Sequence, residues 1–385
     1  MAGPRENLEV DFSEVRGKSY SCIDGCALCC LCQPELLAHE ERMFKADPRL
    51  KGSIADRHIS PEVSGAALKL QGSHGACYFL KNKRCGIYQN RPHFCRAFPI
   101  NVFVGWRIQV NANLSCRGIE LSGESLETLA RNVLADYEDA ELANELRTAR
   151  VVFHEFEANA RSAKVSQSLD SMRGAADALM EDLTDELGLS RVLTYAEHGK
   201  TRQNVPSADI ARFARRAEAS ADIGERAMID GIELFDLDDL SLLPVYIDEA
   251  LQWKMFQLRG GVIVGLNLDE NGGTRETSMT DPASVQLLPM TADGRRAFQE
   301  YLRLVNRRDC FVGHAAHLCD LEGYEYNFAQ VYIGAIANNA LDLWWRASFL
   351  AGLADIERLG SREIREGIVF FDMDLMDLPT IGAFI

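Results

Sequence analysis

Long apolar segments are missing from this sequence of 385 residues. No run of about eighteen apolar residues, the shortest that suits a membrane-spanning helix, occurs. The nearest candidate, 329–351, is interrupted by Asp342 and Arg346, so we expect no membrane span. Residues 1–7 also lack the apolar core of a secretory signal peptide. We therefore expect a cytoplasmic protein, and disulfide bonds are rare in that compartment.

Acidic residues are absent from 77–117, although the whole chain carries a net charge of −16. The overall charge argues against nucleic-acid binding. The segment contains seven cationic residues: Lys81, Lys83, Arg84, Arg91, Arg96, Arg107 and Arg117. Such cations would offset the negative charge of a thiolate-bound metal centre, and a solvated basic face is the other interpretation. We predict that Arg91 and Arg96 contact a bound cofactor, and an anionic partner surface would also suit this segment.

Several common catalytic motifs are missing as well. Neither G-x-S-x-G nor H-E-x-x-H occurs. The glycines Gly260-Gly261-x3-Gly265 lack the lysine of a phosphate-binding loop, so they indicate a turn.

Cysteine, by contrast, is concentrated near one end of the chain. Nine of the eleven cysteines lie in the first 116 residues, as Cys22-x3-Cys26-x2-Cys29-Cys30-x-Cys32 followed by Cys77, Cys85, Cys95 and Cys116. Thiols at this density form disulfides or bind metal. In the expected cytoplasmic setting the pattern predicts metal binding, with reduced structural cysteines as the alternative.

The hydrophobic pattern predicts an α+β fold, with short β-hairpins around the cysteines and a mostly helical C-terminal part that contains a β-hairpin. We predict helices at 34–46, from about 61 to 70, across 121–190, and at 208–221, 291–308 and 326–353. We predict hairpins at 77–88, which would place Cys77 opposite Cys85, at 100–114 and at 253–268. A helical turn after Pro92 should carry Cys95. The predicted domains are 1–118, which binds metal, 119–200, which is helical, and 208–385, with a linker at 199–207.

Two motifs in the cysteine segment carry a family resemblance. They are Cys22-x3-Cys26-x2-Cys29-Cys30 and Cys85-x-Ile87-Tyr88-x2-Arg91-Pro92-x2-Cys95-Arg96-x-Phe98-Pro99. Together they resemble the YkgJ-type cysteine cluster family, also called CxxCxxCC proteins or zinc- or iron-chelating domains, over about residues 20–118. The resemblance implies eight ligands or reserve ligands: Cys22, Cys26, Cys29, Cys30, Cys77, Cys85, Cys95 and Cys116. Cys32 and residues 119–385 lie outside the pattern.

The choice of metal depends on cysteine spacing. Eight thiolates make two four-cysteine sites, and zinc and 4Fe–4S clusters both accept four thiolates. Cys26-x2-Cys29 has the spacing of a zinc knuckle, but Cys77-x7-Cys85 is too wide for a second one. Adjacent side chains diverge, so Cys29 and Cys30 suit two neighbouring centres better than one ion. The pattern favours one or two 4Fe–4S clusters, with zinc as the alternative.

The opening triplet also has the spacing of radical S-adenosylmethionine enzymes. That family places an aromatic residue before the third cysteine, where this chain has Leu28, and the predicted hairpins do not match its barrel. A thioredoxin-like pair at Cys26 and Cys29 would need a βαβ pattern, which the sequence does not show.

A second group, Cys310-x3-His314-x2-His317-x-Cys319, could bind a metal if it is helical, because positions 310, 314 and 317 would share one face. Gly313 weakens that helix, and buried cysteines with ordinary histidines are the alternative.

These observations predict an iron–sulfur protein that transfers electrons, or supports a redox reaction, with a protein or redox partner. Relatives of the family include flagellin lysine N-methylases. The resemblance therefore implies, as one alternative, a protein lysine methyltransferase that uses S-adenosylmethionine. A zinc-stapled interaction module without catalysis is the other alternative. An anaerobically purified iron–sulfur protein is brown and a zinc protein is colourless.

Overall fold

Short strands dominate the first 125 residues and long helices dominate the rest, which confirms the α+β prediction. A computed structural model describes residues 8–55, 66–72, 75–198 and 206–376. Its helices are α1 Ala38–Ala46, α2 His93–Ala97, α3 Leu126–Ala135, α4 Asp139–Ser162, α5 Leu169–Ala178, α6 Glu186–His198, α7 Ser207–Ala214, α8 Ile223–Phe235, α9 Ala292–Arg307, α10 Asp309–Leu321, α11 Phe328–Gly352 and α12 Ser361–Leu375. Its strands are β1 Val10–Asp11, β2 Ser19–Tyr20, β3 Glu35–Leu36, β4 Ala66–Ala67, β5 Leu80–Lys81, β6 Arg84–Cys85, β7 Ile100–Val104, β8 Ile108–Ala112, β9 Glu124–Ser125, β10 Tyr246–Ile247, β11 Trp253–Arg259, β12 Val262–Leu268 and β13 Thr274–Thr280.

The cysteine-rich part is built from several very small sheets. Strands β7 and β8 form the predicted hairpin, and β1 adds to β8 in parallel. The other pairs are β2 with β9, β3 with β4, and β5 with β6. Because two-stranded pairs are marginal alone, these elements depend on packing against the rest of the chain.

Two predictions in this part are wrong. Ala66 and Ala67 form strand β4 against β3 instead of continuing a helix, and the start of that predicted helix lies outside the described residues. Helix α1 begins at Ala38 rather than at Pro34, because Glu35 and Leu36 are used in β3. In both cases strand pairing overrides the weak helical preference of the local sequence.

The prediction that Cys77 lies opposite Cys85 is also wrong, since Leu80 pairs with Cys85. The turn between β5 and β6 contains only Asn82 and Lys83, whose φ angles are 51° and 57°. Such a turn joins strands with the fewest residues, so Cys77 falls outside the hairpin. The Cys77 backbone N–H instead donates to the carbonyl of Cys30, at 2.7 Å.

The C-terminal part surrounds one buried helix, α11, which packs against α6, α8, α10 and α12. Trp344 and Trp345 on α11 are each only 2% exposed. Burying a large apolar side chain contributes roughly 1.5–3 kcal/mol, so α11 contributes substantially to the stability of this part. The predicted hairpin at 253–268 forms the centre of a larger antiparallel sheet, ordered β10–β11–β12–β13.

Within the described ranges we find no helix with the length and hydropathy needed to cross a membrane.

Buried ion pairs connect the cysteine-rich part to the C-terminal helices. Arg308 is 1% exposed and pairs with Glu14 at 2.9 Å and with Asp372 at 2.7 Å. Arg107 pairs with Asp309 at 2.6 Å. One apolar core also includes residues of both parts. The division into domains stays a prediction, and most of the predicted linker, 199–205, lies outside the described residues.

Candidate metal centre

The first four predicted ligands lie on a tightly wound loop. Gly25 has a φ of 84° and Ala27 one of 49°, and a short 3₁₀ helix, Leu28–Cys30, follows. The side chain of Leu28 is buried and fixes the loop to the core. A left-handed turn is easiest for glycine, so Gly25 allows Cys22 and Cys26 to lie close together.

The other four ligands come from separate elements. Cys85 lies in β6, Cys95 in α2, and Cys116 just after β8. Cys77 is held by its backbone hydrogen bond to Cys30. The predicted helical turn carrying Cys95 and the hairpin that leads to Cys116 are therefore confirmed.

A cavity of about 280 Å³ lies among these thiols. Six of the eight predicted ligands line it: Cys22, Cys29, Cys30, Cys77, Cys85 and Cys95. Lys83, Arg84 and Arg91 line it as well. Cys26 and Cys116 are not among the residues that line this cavity.

The thiols influence one another electrostatically. Burial, together with the charges of Cys26, Cys29 and Cys22, raises the pKa of Cys116 to about 12. Burial likewise raises the pKa of Cys95, with added effects from Cys77, Cys29 and Cys85. The charge of Cys29 therefore reaches both Cys116 and Cys95.

Cys29 and Cys30 are neighbours in the chain, and their thiols interact directly. The Cys30 thiol donates a hydrogen bond to Cys29, which lowers the pKa of Cys29 and raises that of Cys30. The charge of Cys29 acts on Cys116 and also on Cys95. The structure thus places six of the eight predicted ligands around one cavity, and their division into two four-cysteine sites stays a prediction.

The donor chemistry fits metal ions that prefer thiolates. None of the eight predicted ligands forms a disulfide, and four thiolates satisfy either zinc or an iron–sulfur cluster. In the described part of the chain, no group of three or more His, Cys, Asp or Glu side chains is placed so that it could hold a metal ion. Ligands must lose their protons to bind metal, so the raised pKa values describe the metal-free thiols.

The two predicted cofactor contacts lie in different surroundings. Arg91 lines the cavity, its Nε–H donates to the Tyr88 carbonyl at 3.1 Å, and its guanidinium lies 3.8 Å from the centre of the Tyr88 ring. Arg96 lies outside the cavity lining and pairs with Asp136 at 3.0 Å and Glu40 at 3.5 Å. Contact of either residue with a cofactor stays a prediction.

Lys83 is a cavity residue that the sequence placed among seven cations but without a contact of its own. Its ammonium lies 3.4 Å from the ring centre of Trp253 and donates to the Leu251 carbonyl at 3.2 Å. The indole N–H of Trp253 in turn donates to the Cys26 carbonyl at 2.9 Å. Trp253 lies about 170 residues away from Lys83 along the chain, so no local motif could reveal this contact.

Two carboxylates position the metal-bearing elements and were also missed. Buried Glu40 accepts the His93 N–H at 2.7 Å and so holds the start of α2. Glu270, in the turn between β12 and β13, accepts the N–H groups of Asn82 (3.0 Å) and Lys83. A backbone N–H bonded to a carboxylate is a strong, charge-assisted contact, so both residues fix cysteine-bearing segments.

The second cysteine–histidine group lies on α10, a regular helix despite Gly313. Cys310 and Cys319 are buried, and burial raises their pKa values to about 12 and about 11. Cys310 packs with Phe103 and Met376 in a small apolar cluster. Metal binding here stays a prediction, and the packing accounts for both cysteines.

Comparisons with known proteins identify the cysteine segment. Residues 21–117, about a quarter of the chain, match the CxxCxxCC family, whose description is "Putative zinc- or iron-chelating domain". No curated protein and no solved structure shows significant similarity to the chain. The resemblance found in the sequence is thus confirmed for this segment, while similarity to flagellin lysine N-methylases stays a prediction.

Proposed function

We propose that the cysteine segment holds two neighbouring iron–sulfur centres and that the protein transfers electrons, or supports a redox reaction, with a partner. Cys22, Cys26, Cys29 and Cys116 hold one centre. The other centre takes Cys30, Cys77, Cys85 and Cys95. The observation that carries this proposal is the cavity that six of the eight predicted ligands line, within the segment that matches the zinc- or iron-chelating family.

The cavity supports iron–sulfur centres over single zinc ions. A four-thiolate zinc site is closed around its ion, with zinc–sulfur distances of about 2.3 Å. The cavity of about 280 Å³ is instead lined by six of the eight thiols. That space suits inorganic sulfide and several irons better than one ion.

The protein groups around the cavity suit electron transfer. An iron–sulfur centre supplies one-electron chemistry. The cations Lys83, Arg84 and Arg91 line the cavity and offset the negative charge of the thiolates. Cys22 is exposed and Tyr88 is 49% exposed, so this edge is open to a redox partner.

Metal counting on anaerobically purified variants tests the proposal. We expect iron and sulfide in equal amounts, roughly four of each per 4Fe–4S centre. Cys26→Ala and Cys95→Ala should each remove about half of the iron, because they belong to different proposed centres. Cys32→Ala, on the same loop but outside both proposed centres, is the matched control and should keep the full content.

Two results would contradict this assignment. Stoichiometric zinc without sulfide or visible absorbance would replace the redox function with the zinc-stapled module. Complete loss of iron in both variants, while each variant still folds, would indicate one shared centre.

A further inference from the structure

A second cavity, of about 490 Å³, lies between strands β10 and β11, the end of α11 and the first turns of α12. Its floor is apolar and includes Phe256, Ala347, Leu350 and Ala351. Phe256 and Ala347 are almost fully buried. This cavity is separate from the one among the thiols, and the family resemblance does not extend to the residues that line it.

The rim of this cavity is charged, and carboxylates outnumber cations. Four carboxylates line it, and the two cations that accompany them are Lys254 and Arg362. Asp248 pairs with Lys254 at 2.9 Å, and Glu249 accepts the Nε–H of Arg362 at 3.0 Å. Two of the carboxylates are therefore neutralised by cations on the rim itself.

The other two carboxylates lie on α12. Glu366 binds Arg117, at 2.6 Å, and the Tyr246 hydroxyl. Glu363 is half-buried, and one of its oxygens accepts the Gly360 N–H at 2.9 Å. Within the described residues Glu363 forms no ion pair, so it is the carboxylate best placed to receive a cation from solution.

The same walls also face the thiols. Arg117 follows Cys116 and donates to the Ile247 carbonyl on β10, at 2.9 Å. Arg365 on α12 donates to the Cys116 carbonyl at 3.4 Å. On β11, Trp253 contacts Cys26 and the next residue, Lys254, lines the cavity. Hydrogen bonds therefore link the elements around this cavity to the backbone carbonyls of Cys26 and Cys116.

We propose that this cavity binds a small amphipathic amine, with its apolar body on the floor and its ammonium at Glu363. The apolar floor excludes a purely ionic ligand, because burying a charge without a partner is costly. The excess of carboxylates at the rim disfavours an anion. The inference goes beyond the proposed redox function and does not depend on metal loading.

Calorimetric titration of the full-length protein with three ligands whose carbon chains have the same length tests the proposal. The ligands are octylammonium, octan-1-ol and octanoate. Octylammonium should bind at least about tenfold more tightly than the other two ligands. The free energy of a hydrogen bond to a charged group corresponds to a change in affinity of at least about this size. Its affinity should fall at high salt, as for an exposed ion pair.

Variants identify the site. Glu363→Gln keeps an acceptor for Gly360 but removes the charge, so it should weaken octylammonium about tenfold and leave octan-1-ol unchanged. Glu300→Gln makes the same change on an exposed face of α9 and should have no effect. Ala354→Trp, at an exposed position on the lining, should block all three ligands. Equal affinity for octan-1-ol and octylammonium, or equal binding by Glu363→Gln, would overturn the proposal.

Discussion

At the scale of single residues, Lys83 is the side chain with the clearest electrostatic role. It lies at the cavity between the Trp253 ring and the thiols, and the charge of Cys26 acts on it. If the proposed centres are present, the ammonium stabilises the added electron. Lys83→Met should lower a reduction potential by about 40 mV, the equivalent of ~1 kcal/mol for one electron.

Two further variants separate this role from a structural one. Lys83→Arg keeps the charge and should restore most of the potential. Lys81→Met removes an exposed charge at the end of β5, beside that turn, and should change the potential less, because water screens it. An unchanged potential in Lys83→Met, with full iron content, would show that Lys83 only packs against Trp253. Spectroelectrochemical titration measures the reduction potential of all three variants.

At the scale of elements, the turn between β12 and β13 holds the β5–β6 turn beside the thiols. Glu270 accepts the N–H groups of Asn82 and Lys83, and its carbonyl accepts the Ala76 N–H at 2.9 Å. Glu270→Ala should therefore destabilise the protein by about 1–3 kcal/mol, because two N–H groups lose a charged acceptor. Hydrogen exchange should accelerate at Asn82 and Lys83.

The control for this prediction is Glu276→Ala on β13, where the carboxylate is exposed and pairs with Arg259. We expect little change in stability from it. If Glu270→Ala leaves exchange at Asn82 and Lys83 unaltered, the two turns do not support one another.

Elements that depend on local signals were predicted from sequence, and elements that depend on distant contacts were not. Pro92 and the pattern after it were enough to place α2, and Gly105 was enough to place the β7–β8 hairpin. Strand β4 depends on pairing with β3, about thirty residues earlier. In the same way, the cysteines were recognisable by spacing, whereas Glu270 and Trp253 come from beyond the matched segment.

At the scale of the whole molecule, the question is whether the cysteine-rich part and the C-terminal part unfold together. Arg308 is nearly inaccessible and lies between Glu14 of the first part and Asp372 of the second. It also donates to the Ala112 carbonyl at 3.0 Å. Because unfolding of either part would remove an ion-pair partner of this buried cation, we expect the two parts to stabilise each other.

Arg308→Met should therefore cost about 3–5 kcal/mol, because it leaves two buried carboxylates without a cation. Lys45→Met breaks an exposed pair with Glu41 and should cost less than about 1 kcal/mol. Urea unfolding, followed by tryptophan fluorescence and far-ultraviolet circular dichroism, should show one coincident transition in the unmodified chain.

The fragment 208–385 retains Arg308 but lacks Glu14 and Ala112, so it should unfold at a lower urea concentration than the whole chain. Equal stability of fragment and chain would show that the C-terminal part is an independent domain.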